Sequence, residues 1–280
     1  MWFRRFGAAS VCVLSVAACD PGPQTVSGST SATPTVETRS DVGPLAALAG
    51  SGAALPPATV DVGPAKVDFI HHYTGGAKSG DAVPLVIAIH GLGDNPSSFV
   101  KLFDGFSGKA HFIVPAGGLP WSDGYAWWPI TGQIDEMNMA AGVEAATHRL
   151  STALREWQAG PIAGKPIVTG FSQGGMLSFA LAAKHPDQIG EAFPVAGLLP
   201  TPLVPAAWPA GMSKPRVFAF HGDSDSRVPF ALGKRSVENL KNLGLEVELK
   251  SYARVAHAIT PEVRRDLFTE LEAAISRASK

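Results

Sequence analysis

The sequence predicts an α/β domain: a mostly parallel sheet with helices on both faces. Two observations carry this expectation. From about Val60 onward, short apolar runs of strand length alternate with longer stretches whose apolar residues recur at helical spacing. The run 166–171, "PIVTGF", has the continuous apolar character of a short strand buried within a parallel sheet. The span from Val60 to Lys280, about 220 residues, suits one such domain.

The N-terminal part stands outside that pattern. "MWFRRFGAASVCVLSVAAC" has Arg4 and Arg5, then an apolar run of signal-peptide length, then small residues. The run is too short for a comfortable membrane span. Its end, Val16-Ala17-Ala18-Cys19, resembles a bacterial lipobox, which predicts cleavage before Cys19 and lipidation of that cysteine. Residues 1–18 are then a lipoprotein signal peptide, and the mature chain carries no disulfide because Cys12 leaves with it. The expected address is the bacterial cell envelope, on the periplasmic side or outer face of a membrane, or secretion if the lipobox is not used. Asp20 resembles an inner-membrane retention signal. Residues 19–59 read as the lipidated cysteine and a flexible tether rich in Ser, Thr, Pro and Ala, with little to bury.

Within residues 60–280, strands are expected at "KVDFIHHY", "PLVIAIHG", "HFIVPAG", "PIVTGFS", "EAFPVAG", "RVFAFHG" and "EVELKSYA". Helices are expected over 137–158, 174–185, 229–244 and 260–278, where apolar side chains line one face. Pro186 stops the second, and Thr260 with Pro261 supplies an N-cap and first-turn proline for the last. With 17% charged residues and a net charge of −1, the chain has no basic excess of the kind that marks nucleic-acid binders.

Chemistry enters at "IVTGFSQGG". Ser172 falls on the turn from strand to helix, with Gly170 and Gly174 removing Cβ atoms where so tight a turn would clash. This G-x-S-x-G arrangement is the nucleophile elbow, which lifts a serine Oγ above a sheet. A free serine is a weak nucleophile and needs a base. Among eight histidines, His257 follows the last strand and precedes the last helix, at the end of the sheet where ligands bind. It also comes after a candidate acid, in the order Ser…Asp…His. His90 and His221 each close a strand as His-Gly and are expected to support loops. For the acid, "FHGDSDSRVPF" offers Asp223 and Asp225, and spacing alone does not choose between them. The glycine-lined turn "HGLGDN" after a central strand can aim backbone N–H groups into the cleft, which predicts Leu92 and Gln173 as oxyanion donors.

Together, "HGLGDN", "GFSQGGMLS", "HGDSDSRVP" and "AHAITPE" resemble, in order, the four signatures of the phospholipase/carboxylesterase family, the acyl-protein thioesterase-like α/β-hydrolases, over roughly residues 83–275. The resemblance implies that Asp225 is the acid, Ser172 the nucleophile and His257 the base. One departure is Ala256, where the family often has glycine. Trp127, Trp128 and Met137, with Met139, are expected to line the acyl pocket from the loop "WSDGYAWWPITGQIDEMNM".

The expected protein is a lipid-anchored serine carboxylesterase taking a small-molecule or lipid ester. It needs no metal or organic cofactor. On the same chemistry it could be a thioesterase, a lysophospholipase or a depolymerase of polymeric or aromatic esters. A catalytically inactive lipid-anchored binding protein is the alternative of another class.

Overall fold

The computed structural model of the chain describes residues 60–129 and 136–280. The expected signal peptide, Cys19 and the expected tether lie outside the described residues. The first strands are β1 (Phe69–Thr74), β2 (Leu85–Ile89), β3 (Ala110–Pro115), β4 (Leu119–Trp121) and β5 (Gly124–Ala126). A one-turn helix, α1 (Pro96–Phe99), lies between β2 and β3. After them come α2 (Glu136–Trp157), β6 (Ile167–Phe171), α3 (Gln173–Lys184) and β7 (Glu191–Val195). The chain ends with β8 (Arg216–Gly222), α4 (Phe230–Asn242), β9 (Val247–Tyr252) and α5 (Pro261–Ala278).

Among the described residues, seven strands form the main sheet in the order β1-β3-β2-β6-β7-β8-β9. Only β1 is antiparallel to its neighbour; the other pairs are parallel. The alternation along β2 shows why its apolar run is unbroken. Leu85, Ile87 and Ile89 join one core with side chains of α2, α3 and α4. Val86 and Ala88 join the other, beneath α5 and a group of phenylalanines that includes Phe103 and Phe112. A strand with helices over both faces has no solvent side on which to place polar residues.

The helix expectations match α2 to α5 within a residue or two at each end. Unforeseen are α1 and the β4–β5 hairpin. The first had a legible signal: the Asn95 side chain accepts the Ser98 N–H as an N-cap and Pro96 fills the first turn. The hairpin strands are three residues each, too short for alternation to register.

Register aligns the carboxyl ends of the strands that matter. Ile89 stands opposite Gly170, Phe171 opposite Val195, and Gly222 opposite Tyr252. The segments following β2, β6, β8 and β9 therefore emerge at one end of the sheet, which is where open α/β sheets bind ligands.

Candidate active site

Ser172 is the N-cap residue of α3, with φ 57° and ψ −115°, a conformation L-residues rarely adopt. Such backbone costs about 1–3 kcal/mol and persists only when its surroundings hold it. Two backbone bonds do so: Ser172 N–H donates to the Val195 carbonyl at 3.0 Å, and its carbonyl accepts the Met176 N–H at 3.0 Å. The flanking glycines are sterically required. A Cβ on Gly170 would overlap the Gly174 carbonyl, and one on Gly174 would overlap the Ile89 carbonyl.

His257 Nε2 lies 2.9 Å from Ser172 Oγ, and His257 Nδ1 lies 2.7 Å from Asp225 Oδ2. A carboxylate can only accept, so Nδ1 carries the proton and Nε2 is free to accept from the serine. Asp225 Oδ1 accepts the backbone N–H groups of Arg227 and Val228, each at 2.9 Å. These bonds turn the buried carboxylate inward. Asp223 faces elsewhere: its Oδ1 accepts the Arg254 N–H at 2.7 Å and the Ser224 hydroxyl at 2.9 Å. Arg254 has φ 61°, so Asp223 braces the strained turn that leads to His257. Ala256 lies outside the left-handed region, which is why a side chain is tolerated where the family often has glycine.

His221 stands behind Asp225. Its Nε2–H donates to the Val228 carbonyl at 2.8 Å and lies 3.4 Å from Asp225 Oδ2. Burial lowers its pKa from the ordinary imidazole value, against the opposing pull of the Val228 carbonyl and Asp225. His90 supports the other loop. Its Nδ1–H donates to the Gly91 carbonyl at 2.7 Å, and its Nε2 accepts the Gly117 N–H at 3.0 Å. Burial again lowers the pKa, so the ring is held neutral. The Gly91 carbonyl and the Leu92 N–H belong to one peptide plane, so fixing the oxygen fixes the direction of the N–H. Among the described residues, the Leu92 and Gln173 backbone N–H groups meet no acceptor.

A cleft of about 500 Å³ opens over Ser172, lined by Leu92, Phe171, Gln173, Met176, Val228 and His257 together with Trp128 and Met139. Two expected pocket residues are not there. Trp127 is fully buried in the core, its indole N–H donating to the His90 carbonyl at 2.9 Å and its backbone N–H to Gln173 Oε1 at 3.0 Å. Met137 is 67% exposed in the first turn of α2 and does not line the cleft. The physical reason is that Trp127 is tied into the core by its bonds to His90 and Gln173, while Trp128, next along the bend after β5, borders the cleft. On α2, Met139 rather than Met137 is turned toward it. Met176, which the sequence reading does not single out, also lines the cleft; it sits four residues after Ser172, where the first helical turn returns toward the elbow. Among the described residues, no group of three or more His, Cys, Asp or Glu side chains is placed to hold a metal ion.

Residues 76–275 match the phospholipase/carboxylesterase family. The chain is 29% identical over 215 residues to an acyl-protein thioesterase 1 of Mycosarcoma maydis, covering 67% of this chain and 89% of that protein. It is 28% identical over 193 residues to a probable inactive carboxylesterase of Oryza sativa subsp. japonica, covering 62% of this chain and 78% of that one. Among solved structures, esterase PE8 is similar at a TM-score of 0.64 and 26% identity, covering 74% of this chain and 99% of PE8. A phospholipase/carboxylesterase from Dyadobacter fermentans DSM 18053 shares the fold at a TM-score of 0.59 and 18% identity, covering 78% of this chain and 98% of that one. The chain belongs to the phospholipase/carboxylesterase family of α/β-hydrolases and is a serine hydrolase that cleaves carboxylic esters.

Proposed function

We propose that Ser172, His257 and Asp225 form the catalytic triad of a carboxylesterase, with the Leu92 and Gln173 N–H groups as its oxyanion hole. The observation that carries this reading is the continuous chain Ser172 Oγ, His257 Nε2, His257 Nδ1, Asp225 Oδ2, with contacts of 2.9 and 2.7 Å. Ser172 Oγ bonds to the acyl carbon while its proton passes to His257 Nε2. The carbonyl oxygen takes the negative charge and accepts from the two backbone N–H groups. Collapse breaks the bond to the alcohol, which leaves with the proton from His257. Water then repeats the sequence, releasing the acid and restoring the serine. Asp225 holds the imidazole tautomer and stabilises the imidazolium.

The apolar wall of Trp128, Met139 and Met176 suits an acyl chain, while Asp94 and Arg227 border the same cleft. A thioesterase reading uses the same residues and is favoured by the acyl-protein thioesterase among the relatives. An anchored binder without catalysis would need none of the three side chains aligned. The sequence around Cys19 supports a lipid anchor in the bacterial cell envelope. Labelling by a fluorophosphonate, abolished in Ser172→Ala, tests the triad; turnover by Ser172→Ala at the wild-type rate would refute it. Acyl esters and thioesters of matched chain length then separate the two substrate classes.

A further inference from the structure

The segment that enters the domain, residues 62–68, precedes the family's matched region and is bound tightly to it. A Cβ on Gly118 would overlap the Val62 carbonyl, and one on Gly63, where φ is +84°, would overlap the Gly118 carbonyl. The two backbones therefore touch, and neither position accepts a side chain. Arg149 of α2 reaches across to donate from Nε to the Pro64 carbonyl at 2.6 Å and from Nη2 to the Lys66 carbonyl at 3.2 Å. Val67 is buried in the core that also holds Trp127 and Trp128, and Val62 packs against it. The Asp68 carbonyl accepts the Ala116 N–H at 2.7 Å. The segment is a strap, fastened along residues 116–118.

Of these, Gly117 lies one contact from the oxyanion loop. Gly117 N–H donates to His90 Nε2, and the opposite nitrogen of that ring donates to the Gly91 carbonyl. The Gly91–Leu92 peptide plane then sets the direction of the Leu92 N–H. Gly117 is itself crowded, since a Cβ there would meet the Ala126 carbonyl at 2.6 Å.

We propose that the strap is a positioning element of the oxyanion hole: Gly63 and Arg149 act through Gly118, Gly117 and His90 on the Leu92 N–H. This rests on the oxyanion role given to Leu92 above. Loss of one such donor lowers kcat by about 10²–10³-fold. A donor that is displaced rather than removed should cost less, about tenfold.

Gly118→Ala in the full chain is a selective probe. The atoms a Cβ there would meet nearest are all in Val62 and Gly63, and Gly118 does not itself have a positive φ. Arg149→Met removes both donors while keeping an apolar stem. For each variant, kcat per site titrated with a fluorophosphonate, KM on a short ester, and the Ki of a short trifluoromethyl ketone are measured. Ser172 adds to that ketone and leaves its oxygen as an anion in the same hole. The expected result is a kcat per titrated site about tenfold lower and a Ki raised by the same factor, with KM within about twofold. The double variant should lose little more than either single one, because both release the same strap. A strap that only stabilised the fold would lower the melting temperature and the number of titratable sites, leaving kcat per site and Ki at wild-type values. That outcome overturns the proposal. If Gly118→Ala does not fold, Arg149→Met decides alone. Wild-type turnover by Ser172→Ala would instead overturn the active-site reading, so the two failures are distinguishable.

Discussion

Asp225 presents Oδ2 to His257 Nδ1 at 2.7 Å while its Oδ1 is held by the Arg227 and Val228 N–H groups. Asp223, two residues earlier, accepts from Arg254 instead. The pair gives a sharp contrast. Asn at 225 can offer its amide N–H toward His257 and so favour the wrong tautomer. Asp225→Asn is expected to lower kcat by about 10³–10⁴-fold with KM little changed. Asp223→Asn keeps an oxygen for the Arg254 N–H and should cost less than about tenfold. Steady-state kinetics on one short ester, after melts confirm folding, checks both; a crippled Asp223→Asn would reverse the assignment.

The two tryptophans should separate in the same way. Trp127→Ala removes a wholly buried indole and its bond to the His90 carbonyl. It is expected to cost about 3–5 kcal/mol, seen as a melting temperature lower by about 10 °C or more. Trp128→Ala alters the cleft wall, and should raise KM for longer acyl esters more than for acetate. Met137→Ala, at an exposed position away from the cleft, should leave both profiles unchanged. A chain-length series of p-nitrophenyl esters distinguishes the three, and uniform losses in Trp128→Ala would remove that residue from the acyl site.

Acid should destabilise the fold through His90 and His221. Burial depresses both pKa values below the ordinary 6.5, so the unfolded chain binds protons that the folded one refuses. Their contribution is fully present above pH 6.5 and is lost as pH falls through the depressed folded values. Each can add up to about 1.4 kcal/mol per pH unit to the slope within that window. Urea unfolding from pH 7 to pH 5 should therefore show falling stability. His221→Gln, which retains a donor for the Val228 carbonyl, should show a shallower acid slope. An unchanged slope would mean that His221 is not buried neutral.

Anchoring is expected to affect address and not chemistry. Cys19→Ser should release the protein from the membrane fraction, while the purified variant keeps its kcat and KM. Mass spectrometry of the mature N-terminus checks the premise: a start at any residue other than Cys19, without lipid mass, refutes it.

By itself the sequence determined the α/β class, the order of the main helices, the elbow at Ser172 and the histidine at 257. These are local facts: period, the steric need for Gly170 and Gly174, and the position of each residue at a strand end. It also determined the family, because four motifs occur in one order. It left Asp223 and Asp225 level at the stage of spacing, since both occupy the same strand-end loop; the resemblance favoured Asp225, and the backbone N–H groups that orient each carboxylate became visible only in three dimensions. Both tryptophans are expected in the cleft from the sequence, and only Trp128 borders it, for a related reason. Trp127 and Trp128 are neighbours of the same chemistry, and what holds Trp127 inside is its bonding to His90 and to Gln173, 37 and 46 residues away. The strap is the extreme case. Val62 meets Gly118, and Pro64 and Lys66 meet Arg149, only because the antiparallel edge strand β1 returns the chain past the end of β3, contacts that no local pattern of residues encodes.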